Sequence, residues 1–372
     1  MSTSVETISD KQEALARQAH RLQLLAYWSL RSEIELGEPR SAAVPYLWKW
    51  KDAVPLLLES ADVVTIEEAE RRALLFANPG LGGKPWMTST LYGALQFIRP
   101  GESAACHRHT PSASRFILQG SGGFTTLAGE KCRMSPGDLI ITPNWIWHDH
   151  GNDGVEETIW LDVLDVPIVE RLDATFFELT YTETDPQSGE PETRTLQTIT
   201  RPPDYSRNLY SRGGIAPKFV SRPVGQDSPL FVYKWETARE ALERLRAYES
   251  DPYDGILVEY TNPVTGGPAM ATMSFQMQLL RPGQRTLAHR HTTSSVYCAV
   301  QGEGSTVMNG ARFEWSQNDV FVIPSWVWHE HANQSAQDAI LYSVSDAPTI
   351  QKLGLYREQR RTPTGDVVTV RG

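Results

Sequence analysis

The sequence is poor in cysteine, has no excess of positive charge and contains no long apolar run. Its three cysteines, Cys106, Cys132 and Cys298, show no pairing pattern, which argues against a disulfide framework and fits a reducing compartment. The net charge is -10, so the basic footprint of a nucleic-acid-binding protein is missing. No apolar segment reaches membrane-spanning length, and the polar N-terminal stretch lacks a signal-peptide core. We therefore predict a cytoplasmic protein that binds neither nucleic acid nor membranes.

The patterns that are present predict a short helical region followed by β-structure. A chain of 372 residues is long enough for two or three domains. An amphipathic pattern over 5–36 predicts an N-terminal helix. From Thr88 the polarity alternates with a period of two, and glycine and proline turns separate short apolar segments, which is typical of a β-sandwich or β-barrel. The polar stretch 182–195 is the best candidate for a linker.

An internal duplication covers most of each half of the sequence. The positions His107, His109, Pro143, Trp145, Trp147, His148, His150 and Asn152 recur in the same order as His289, His291, Pro324, Trp326, Trp328, His329, His331 and Asn333. A repeat of this length predicts two similar β-barrels in tandem.

The repeated histidines have the spacing of a metal site. In a β-strand, side chains alternate between faces, so His107 and His109 point the same way, and a neighbouring strand that carries His148 can bring a third imidazole to them. Three neutral imidazoles suit a divalent first-row metal and leave coordination positions open. Cys106 faces away from the pair and is interpreted as a small buried hydrophobe. Whether the copies His289, His291 and His329 also hold a metal stays undecided, with a structural or vacant site favoured.

The halves differ in the residues that would surround such a metal. Arg115 is replaced by Tyr297 and Asp162 by Ser343. Tyr92 is replaced by Ser274, and Arg71 has no basic counterpart, whereas Gln96 and His150 are kept as Gln278 and His331. Only the first half therefore has the cationic groups that an aromatic acid would need, and we assign the chemistry to it.

These motifs resemble a known family. The first half carries the paired motifs of the cupin superfamily, although Arg115 stands where the usual first motif has a glutamate. The strings that carry a closer likeness are Arg71-Arg72-Ala73-Leu74-Leu75, Asn78-Pro79-Gly80-Leu81, Pro100-Gly101-Glu102, His107-Arg108-His109-Thr110, Gly137-Asp138-Leu139-Ile140-Ile141-Thr142-Pro143 and Trp147-His148-Asp149-His150-Gly151-Asn152. They resemble the gentisate 1,2-dioxygenase family over nearly the whole chain.

The resemblance implies a fold and a domain organisation. The fold would be dominated by β-structure, a bicupin of two tandem jelly-roll barrels with an N-terminal helical segment and short helices. The expected divisions are a helical and aromatic segment (1–60), a catalytic barrel (61–180), a linker with a short helix (181–250) and a second, structural barrel (251–372). The family likeness also implies a homo-oligomer, commonly a homotetramer.

The resemblance further implies an activity. Family members use Fe(II) and dioxygen for an extradiol-type cleavage of gentisate (2,5-dihydroxybenzoate) to maleylpyruvate. Carried over to this chain, Fe(II) would be held by His107, His109 and His148. Arg115 would pair with the substrate carboxylate, and His150 would serve as an acid/base or hydrogen-bond partner.

Other residues are candidates for contact with the substrate. The set is Arg71, Tyr92, Ala94, Gln96 and Asp162. Salicylate-cleaving relatives tend to have Trp in place of Tyr92 and Gly in place of Ala94, so this pair favours gentisate. Each candidate has a structural alternative: a salt bridge for Arg115, neutralisation of a buried carboxylate for Arg71 and a strand end for Asp162. Trp145 and Trp147 are interpreted as core and barrel-rim packing.

Rival functions remain open on the sequence. The chain could be a salicylate or 1-hydroxy-2-naphthoate 1,2-dioxygenase, or a metal-dependent isomerase. It could also be a non-catalytic bicupin that stores or senses a ligand. The full histidine triad and the acidic balance favour the enzyme.

Overall fold

The computed structural model describes residues 8–69, 71–215, 217–220, 225–248 and 250–370. The chain divides into two compact units, Met1–Arg40 and Ser41–Gly372. The helices are α1 (Ile8–Arg21), α2 (Tyr27–Ile34), α3 (Trp50–Val63), α4 (Ile66–Ala69), α5 (Val166–Arg171), α6 (Tyr205–Tyr210), α7 (Trp235–Leu245) and α8 (Ala347–Lys352), with a 3-10 turn at Pro79–Leu81. Among the described residues, no helix combines the length and the apolarity that a membrane crossing requires.

The first unit contains two helices where the sequence predicted one over 5–36. The first helix ends because Gln23 adopts a left-handed conformation with φ of 58°. The amide of Leu24 donates to the carbonyl of Ala19, and the amide of Gln23 donates to that of His20, which is the double closure of a Schellman motif. A periodic pattern does not reveal such a break, since the apolar residues continue through it. The predicted residues 5–7 lie outside the described part of the chain.

The second unit is built from antiparallel strands. They are β1 (Tyr46–Trp48), β2 (Arg72–Leu75), β3 (Tyr92–Ile98), β4 (Ser103–His109), β5 (Ala113–Gln119), β6 (Gly123–Leu127), β7 (Glu130–Arg133), β8 (Leu139–Thr142), β9 (His148–Asn152), β10 (Thr158–Leu164), β11 (Phe177–Glu178), β12 (Tyr181–Thr184), β13 (Pro191–Arg194), β14 (Val232–Tyr233), β15 (Ile256–Glu259), β16 (Ser274–Leu280), β17 (His289–His291), β18 (Ser295–Gln301), β19 (Glu303–Met308), β20 (Ala311–Ser316), β21 (Val320–Ile323), β22 (His329–Ala332), β23 (Ala339–Ser345), β24 (Glu358–Arg361) and β25 (Val367–Val370).

Apart from β12 and β13, which pair with each other, these strands form two barrels of two sheets each, which confirms the predicted tandem β-fold. In the first barrel the strand orders are β14-β8-β5-β10-β3-β2 and β11-β4-β9-β6-β7. In the second barrel they are β1-β21-β18-β23-β16-β15 and β20-β19-β22-β17-β24-β25. The sheets therefore repeat in the same way as the sequence does.

The two barrels exchange a short strand. Strand β1, near the start of the unit, pairs with β21 of the second barrel, and β14 pairs with β8 of the first. A lysine that follows each exchanged strand reaches an aspartate of the receiving barrel: Lys49 Nζ lies 2.8 Å from Asp319 Oδ2, and Lys234 donates to Asp138. The sequence echo between 48–50 and 233–235 marks this exchange. The domain boundaries at 60, 180 and 250 stay predictions.

One apolar core lies between the barrels. The rings of Phe116 and Tyr342 stack across it with centroids 4.0 Å apart. Because strand residues alternate between faces, Phe116 on β5 faces this core and Arg115 faces the interior of its own barrel. The alternation of β5 therefore positions Arg115 inside the barrel.

The stretch predicted as a linker is an ordered hairpin. Strands β12 and β13 pair from Tyr181 opposite Arg194 to Thr184 opposite Pro191. The turn between them contains Gly189 at a positive φ of 75°, which a glycine adopts without strain. Turn residues are frequent in both linkers and hairpins, so composition alone did not separate the two.

Candidate metal centre and substrate cavity

Three histidines of the first barrel meet as the sequence predicted. His107 and His109 end strand β4, and His148 begins β9, where it is paired in register with His107. In each ring Nδ1 lies 2.7–2.9 Å from a backbone carbonyl oxygen. The carbonyls are those of Ala105 for His107, Pro111 for His109 and Ile146 for His148. A carbonyl only accepts, so Nδ1 carries the proton and Nε2 keeps its lone pair.

The donor set fits a metal ion. One nitrogen from each ring lies within 4.8 Å of the other two, and the buried Nε2 of His148 has no hydrogen-bond partner among the described residues. Burial, with smaller effects of nearby Arg71 and Arg115, lowers the pKa of His107 to about 2 and that of His109 to about 4, so both rings are neutral donors at pH 7. Cys106 is buried and outside this cluster, as predicted. A divalent first-row ion is the ligand that such a set suits.

Arg115 is fully enclosed beside the triad. Only 1% of this residue is exposed. Its Nη1 donates to Thr142, and its Nη2 lies 3.3 Å from His150 Nε2. Its Nε lies 3.6 Å from the Asp162 carboxylate. The guanidinium therefore points into the barrel, next to the metal-type cluster.

His150 is held in one tautomer by its two neighbours. A guanidinium donates only, so His150 Nε2 accepts from Arg115, and Nδ1 donates to Thr125 Oγ1 at 2.8 Å. The ring of His150 lies 5.6 Å from that of His148. The prediction that the two rings share a face of the strand is confirmed.

Asp162 lies at the centre of a buried polar network. Its carboxylate accepts from Trp160 Nε1 at 3.0 Å and from Gln96 Nε2. Burial raises the pKa of Asp162, and the charges of Arg115 and Arg71 oppose that rise. The alternative that Asp162 merely ends a strand is wrong, because Asp162 lies inside β10 opposite Arg115.

A cavity of about 280 Å³ opens onto these groups. Its walls include six of the residues that the sequence predicted: Arg71, Tyr92, Gln96, His109, Arg115 and Asp162. Ala94 is buried on the same face of β3 but does not line the cavity. Burial and the Asp162 charge raise the pKa of Tyr92 to about 12, so its phenol is protonated.

Arg71 contributes a second guanidinium. Its Nη1 lies 2.8 Å from His107 Nε2, the atom that would bind a metal. Two arginines therefore face one carboxylate, Asp162, across a cavity with neutral histidines. The cavity has a net positive charge before any metal binds, which favours an anion.

Two features near the site were missed. Phe177, on the short strand β11, lies against His109 with ring centroids 5.2 Å apart and closes one side of the cavity. Arg108 lies between two indoles, 4.4 Å from the ring of Trp145 and 4.6 Å from that of Trp147. The sequence pattern predicted that these tryptophans are packing residues. The arginine and tryptophans that recur together in the repeated motif could have indicated their contact.

Comparisons with known proteins agree with this geometry. Residues 94–164 and 276–345 match the family described as Cupin domain. The chain is 38% identical to a 5-aminosalicylate 1,2-dioxygenase of Comamonas sp, over 95% of this chain and 91% of the relative. It is 40% identical to gentisate 1,2 dioxygenase 1 of Aquipseudomonas alcaligenes, over 91% and 93%.

A solved structure shows the same architecture. Salicylate 1,2-dioxygenase from Pseudoaminobacter salicylatoxidans, determined as adducts with gentisate, superposes with a TM-score of 0.86 at 30% identity, covering 96% of this chain and 95% of that one. The fold, the triad and these relatives lead to one assignment. The chain belongs to the gentisate 1,2-dioxygenase family of bicupin, ring-cleaving dioxygenases.

Proposed function

We propose that the first barrel is an Fe(II)-dependent gentisate 1,2-dioxygenase that converts gentisate and dioxygen to maleylpyruvate. The observation that carries the proposal is the pair of guanidiniums, buried Arg115 and half-buried Arg71, opposite one carboxylate in a cavity beside the histidine triad. The carboxylate of an aromatic acid balances the surplus charge.

The cavity is large enough for a substituted benzene ring. Its volume is about 280 Å³, whereas a cavity of about 150 Å³ already holds benzene. A benzene ring with three small polar substituents, such as gentisate, therefore fits this space.

The arginines position the substrate. Arg115 pairs with the carboxylate and fixes the ring plane, because its own orientation is held by Thr142 and Asp162. His150 helps to hold Arg115 in this orientation, because its Nε2 accepts from Arg115 while its Nδ1 donates to Thr125. A metal on His107 Nε2 would take the place of the Arg71 guanidinium at that atom, and Arg71 would remain in the cavity wall as a second positive charge.

The metal would be held by His107, His109 and His148 through Nε2. When bound, Fe(II) supplies open coordination positions for the substrate and for dioxygen, and an electron path between them. Gentisate carries a 5-hydroxyl para to its 2-hydroxyl, which raises the electron density of the ring that is cleaved. Both oxygen atoms enter the product, so the reaction needs no other reductant.

Oxygen uptake with a panel of acids tests the substrate. The enzyme is loaded with Fe(II) without air and mixed with gentisate, 5-aminosalicylate, salicylate or 1-hydroxy-2-naphthoate before air is admitted. We expect the highest specificity constant for gentisate, with absorbance growth from a conjugated ring-opened product. A higher constant for any of the other three acids would reassign the substrate.

Methyl gentisate is the matched control for the carboxylate. The ester keeps both hydroxyls but has no negative charge. We expect its specificity constant to fall about 10- to 100-fold, since a hydrogen bond to a charged group contributes about 1.5–3 kcal/mol. Equal turnover of acid and ester would contradict the role of the arginines.

Assembly into a homotetramer is a separate proposal, which sedimentation equilibrium tests.

A further inference from the structure

The second barrel contains its own histidine triad. His289 and His291 lie on β17, and His329 begins β22, with one nitrogen from each ring within 4.8 Å of the others. The Nδ1 atoms of His291 and His329 lie 3.1 Å and 2.9 Å from the carbonyls of Thr293 and Val327. Their Nε2 atoms therefore face inward with free lone pairs, as in the first barrel.

Buried nitrogens at this triad have no partners. His289 is 4% exposed and His329 is 1% exposed. Both ring nitrogens of His289 and Nε2 of His329 have no hydrogen-bond partner among the described residues. Buried polar atoms without partners are costly, and the unpaired Nε2 atoms of His289 and His329, which face the same point, indicate a missing ligand.

The groups around the two triads carry opposite charges. In the first barrel the nearest charged group to His107 Nε2 is the Arg71 guanidinium, at 2.8 Å. In the second barrel Asp254, just before β15, places Oδ1 3.7 Å from His289 Nε2. Strands β2 and β15 have equivalent places in their sheets, so the two barrels offer a cation and a carboxylate at the same side of the triad.

A second carboxylate lies behind His289. Glu358 Oε1, on β24, is 3.9 Å from His289 Nδ1. Arg360 and Tyr356 donate hydrogen bonds to the same carboxylate and hold it in place beside His289. A carboxylate on the far nitrogen of a histidine is the usual support of a metal-binding imidazole.

We propose that the second barrel holds its own divalent first-row metal ion through His289, His291, His329 and the carboxylate of Asp254, with Glu358 as the support of His289. Asp254 lies outside the repeated motif, so the sequence pattern did not indicate this ligand. Three imidazoles and one carboxylate make a full four-ligand set of the kind found in closed sites.

The surroundings exclude ring cleavage at this second site. Tyr297, which replaces Arg115, packs on His331 with ring centroids 5.1 Å apart and stacks on Phe321 at 5.0 Å. The nearby guanidinium of Arg360 bonds to Glu358 and lies over the ring of Tyr253 at 4.7 Å. The position of Arg115 therefore holds a neutral aromatic side chain in this barrel, and the role of the site in the proposal is to stabilise the barrel.

Metal counting after loading tests the proposal. The demetallated full chain is reloaded with Fe(II) or with Zn(II), desalted, and its metal content is measured by mass spectrometry. We expect two ions per chain in the parent protein, one in His148→Ala and one in His329→Ala. One ion in the parent and none in His148→Ala would overturn the proposal.

Two milder variants test the ligands of the second site if His329→Ala does not fold. Asp254→Asn removes the anionic ligand, and Glu358→Gln weakens the support of His289. For each variant we expect the affinity for the second Zn(II) to fall about 10- to 100-fold. Glu330→Gln is the matched control, since Glu330 lies next to His329 on β22 but pairs outward with Arg285. Unchanged affinity in both Asp254→Asn and Glu358→Gln would overturn the ligand assignment.

Thermal unfolding gives a readout that does not depend on turnover. A ligand that binds only the folded state raises the melting temperature, and the rise grows with the ratio of ligand concentration to Kd. Adding Zn(II) to demetallated His148→Ala, which has only the second site, should raise the melting temperature, and the same addition to His148→Ala with Asp254→Asn should raise it much less. Equal rises in the two proteins would contradict the role of Asp254.

Discussion

Arg115 and Asp162 oppose each other in register inside the first barrel, with Arg115 Nε 3.6 Å from Asp162 Oδ1. Both residues are almost fully buried. Two charges removed from water in this way stabilise a protein little as a pair, but the loss of one partner is costly. The pair therefore holds a guanidinium at a fixed place in the wall of the cavity.

Replacing Arg115 by methionine should lower both activity and stability. The specificity constant for gentisate should fall about 10- to 100-fold, because the charge-assisted contact to the carboxylate is worth about 1.5–3 kcal/mol. The free energy of unfolding should fall by about 3–5 kcal/mol, because Asp162 is left buried without its counter-charge. Oxygen-uptake kinetics and urea denaturation measure the two effects.

A second substitution separates these effects. Adding Asp162→Asn to Arg115→Met removes the uncompensated charge, so stability should recover while activity stays low. If the double variant regained the parent's specificity constant, Arg115 would be only a structural partner of Asp162 and the substrate role would be wrong.

The ligand triad could be predicted from sequence because its information is local. The alternation of a strand fixes His107 and His109 on one face, and the repeated motif adds His148. Asp254 and Phe177 could not be predicted in this way. They reach their sites through strand pairings that bring distant parts of the chain together, and neither lies in a motif.

The interface between the barrels should become less stable as the pH rises from about 4 to 7. Burial raises the pKa of Asp165 to about 6 and that of Asp346 to about 7, from 3.8. Each carboxyl bonds across the interface, Asp165 to Thr272 and Asp346 to Thr90. In this window the folded state binds more protons than the unfolded state, so the stabilisation present below pH 4 is lost as the pH rises through 6 and 7.

Asp346→Asn tests this pH dependence. Its amide keeps an acceptor for the Ser294 amide but does not ionise. Relative to the variant, the parent should lose up to a few kcal/mol between about pH 4.5 and 7.5, since one pKa unit is worth about 1.4 kcal/mol. Urea denaturation at both pH values measures the difference. Asp366→Asn, at an exposed turn, is the control; a parallel pH response of parent and Asp346→Asn would contradict the argument.

The strand exchange is a feature that the sequence did not predict. The similarity of 48–50 and 233–235 was visible as a repeat, and the predicted divisions placed 48–50 in the N-terminal segment and 233–235 in the linker. The structure places each in the other barrel, since β1 pairs with β21 and β14 with β8. A short strand with a following lysine has the same pattern in either barrel. The receiving aspartates, Asp319 and Asp138, also occupy equivalent positions directly before β21 and β8, so the local pattern does not give the pairing.

The contact of Arg108 with the rings of Trp145 and Trp147 should matter for metal binding in the first barrel. Trp145 has a left-handed backbone, φ 62°, which costs a non-glycine residue about 1–3 kcal/mol unless neighbours hold it. Arg108 covers the rings of Trp145 and Trp147 and bonds to Glu178 at 2.6 Å, so it fixes the segment that leads into His148. Arg108→Met should therefore loosen His148 and weaken its hold on the metal.

The second barrel supplies the matched control. Arg290 lies over Trp326 and Trp328 in the same way, at 4.4 Å and 4.8 Å, and Trp326 has a φ of 64°. Oxygen uptake at increasing Fe(II) reports occupancy of the first site only. Arg108→Met should raise the half-saturating Fe(II) concentration about 10- to 100-fold, and Arg290→Met should leave it unchanged. Equal effects of the two variants would show that the contacts between the arginine and the tryptophans act on overall stability and not on His148.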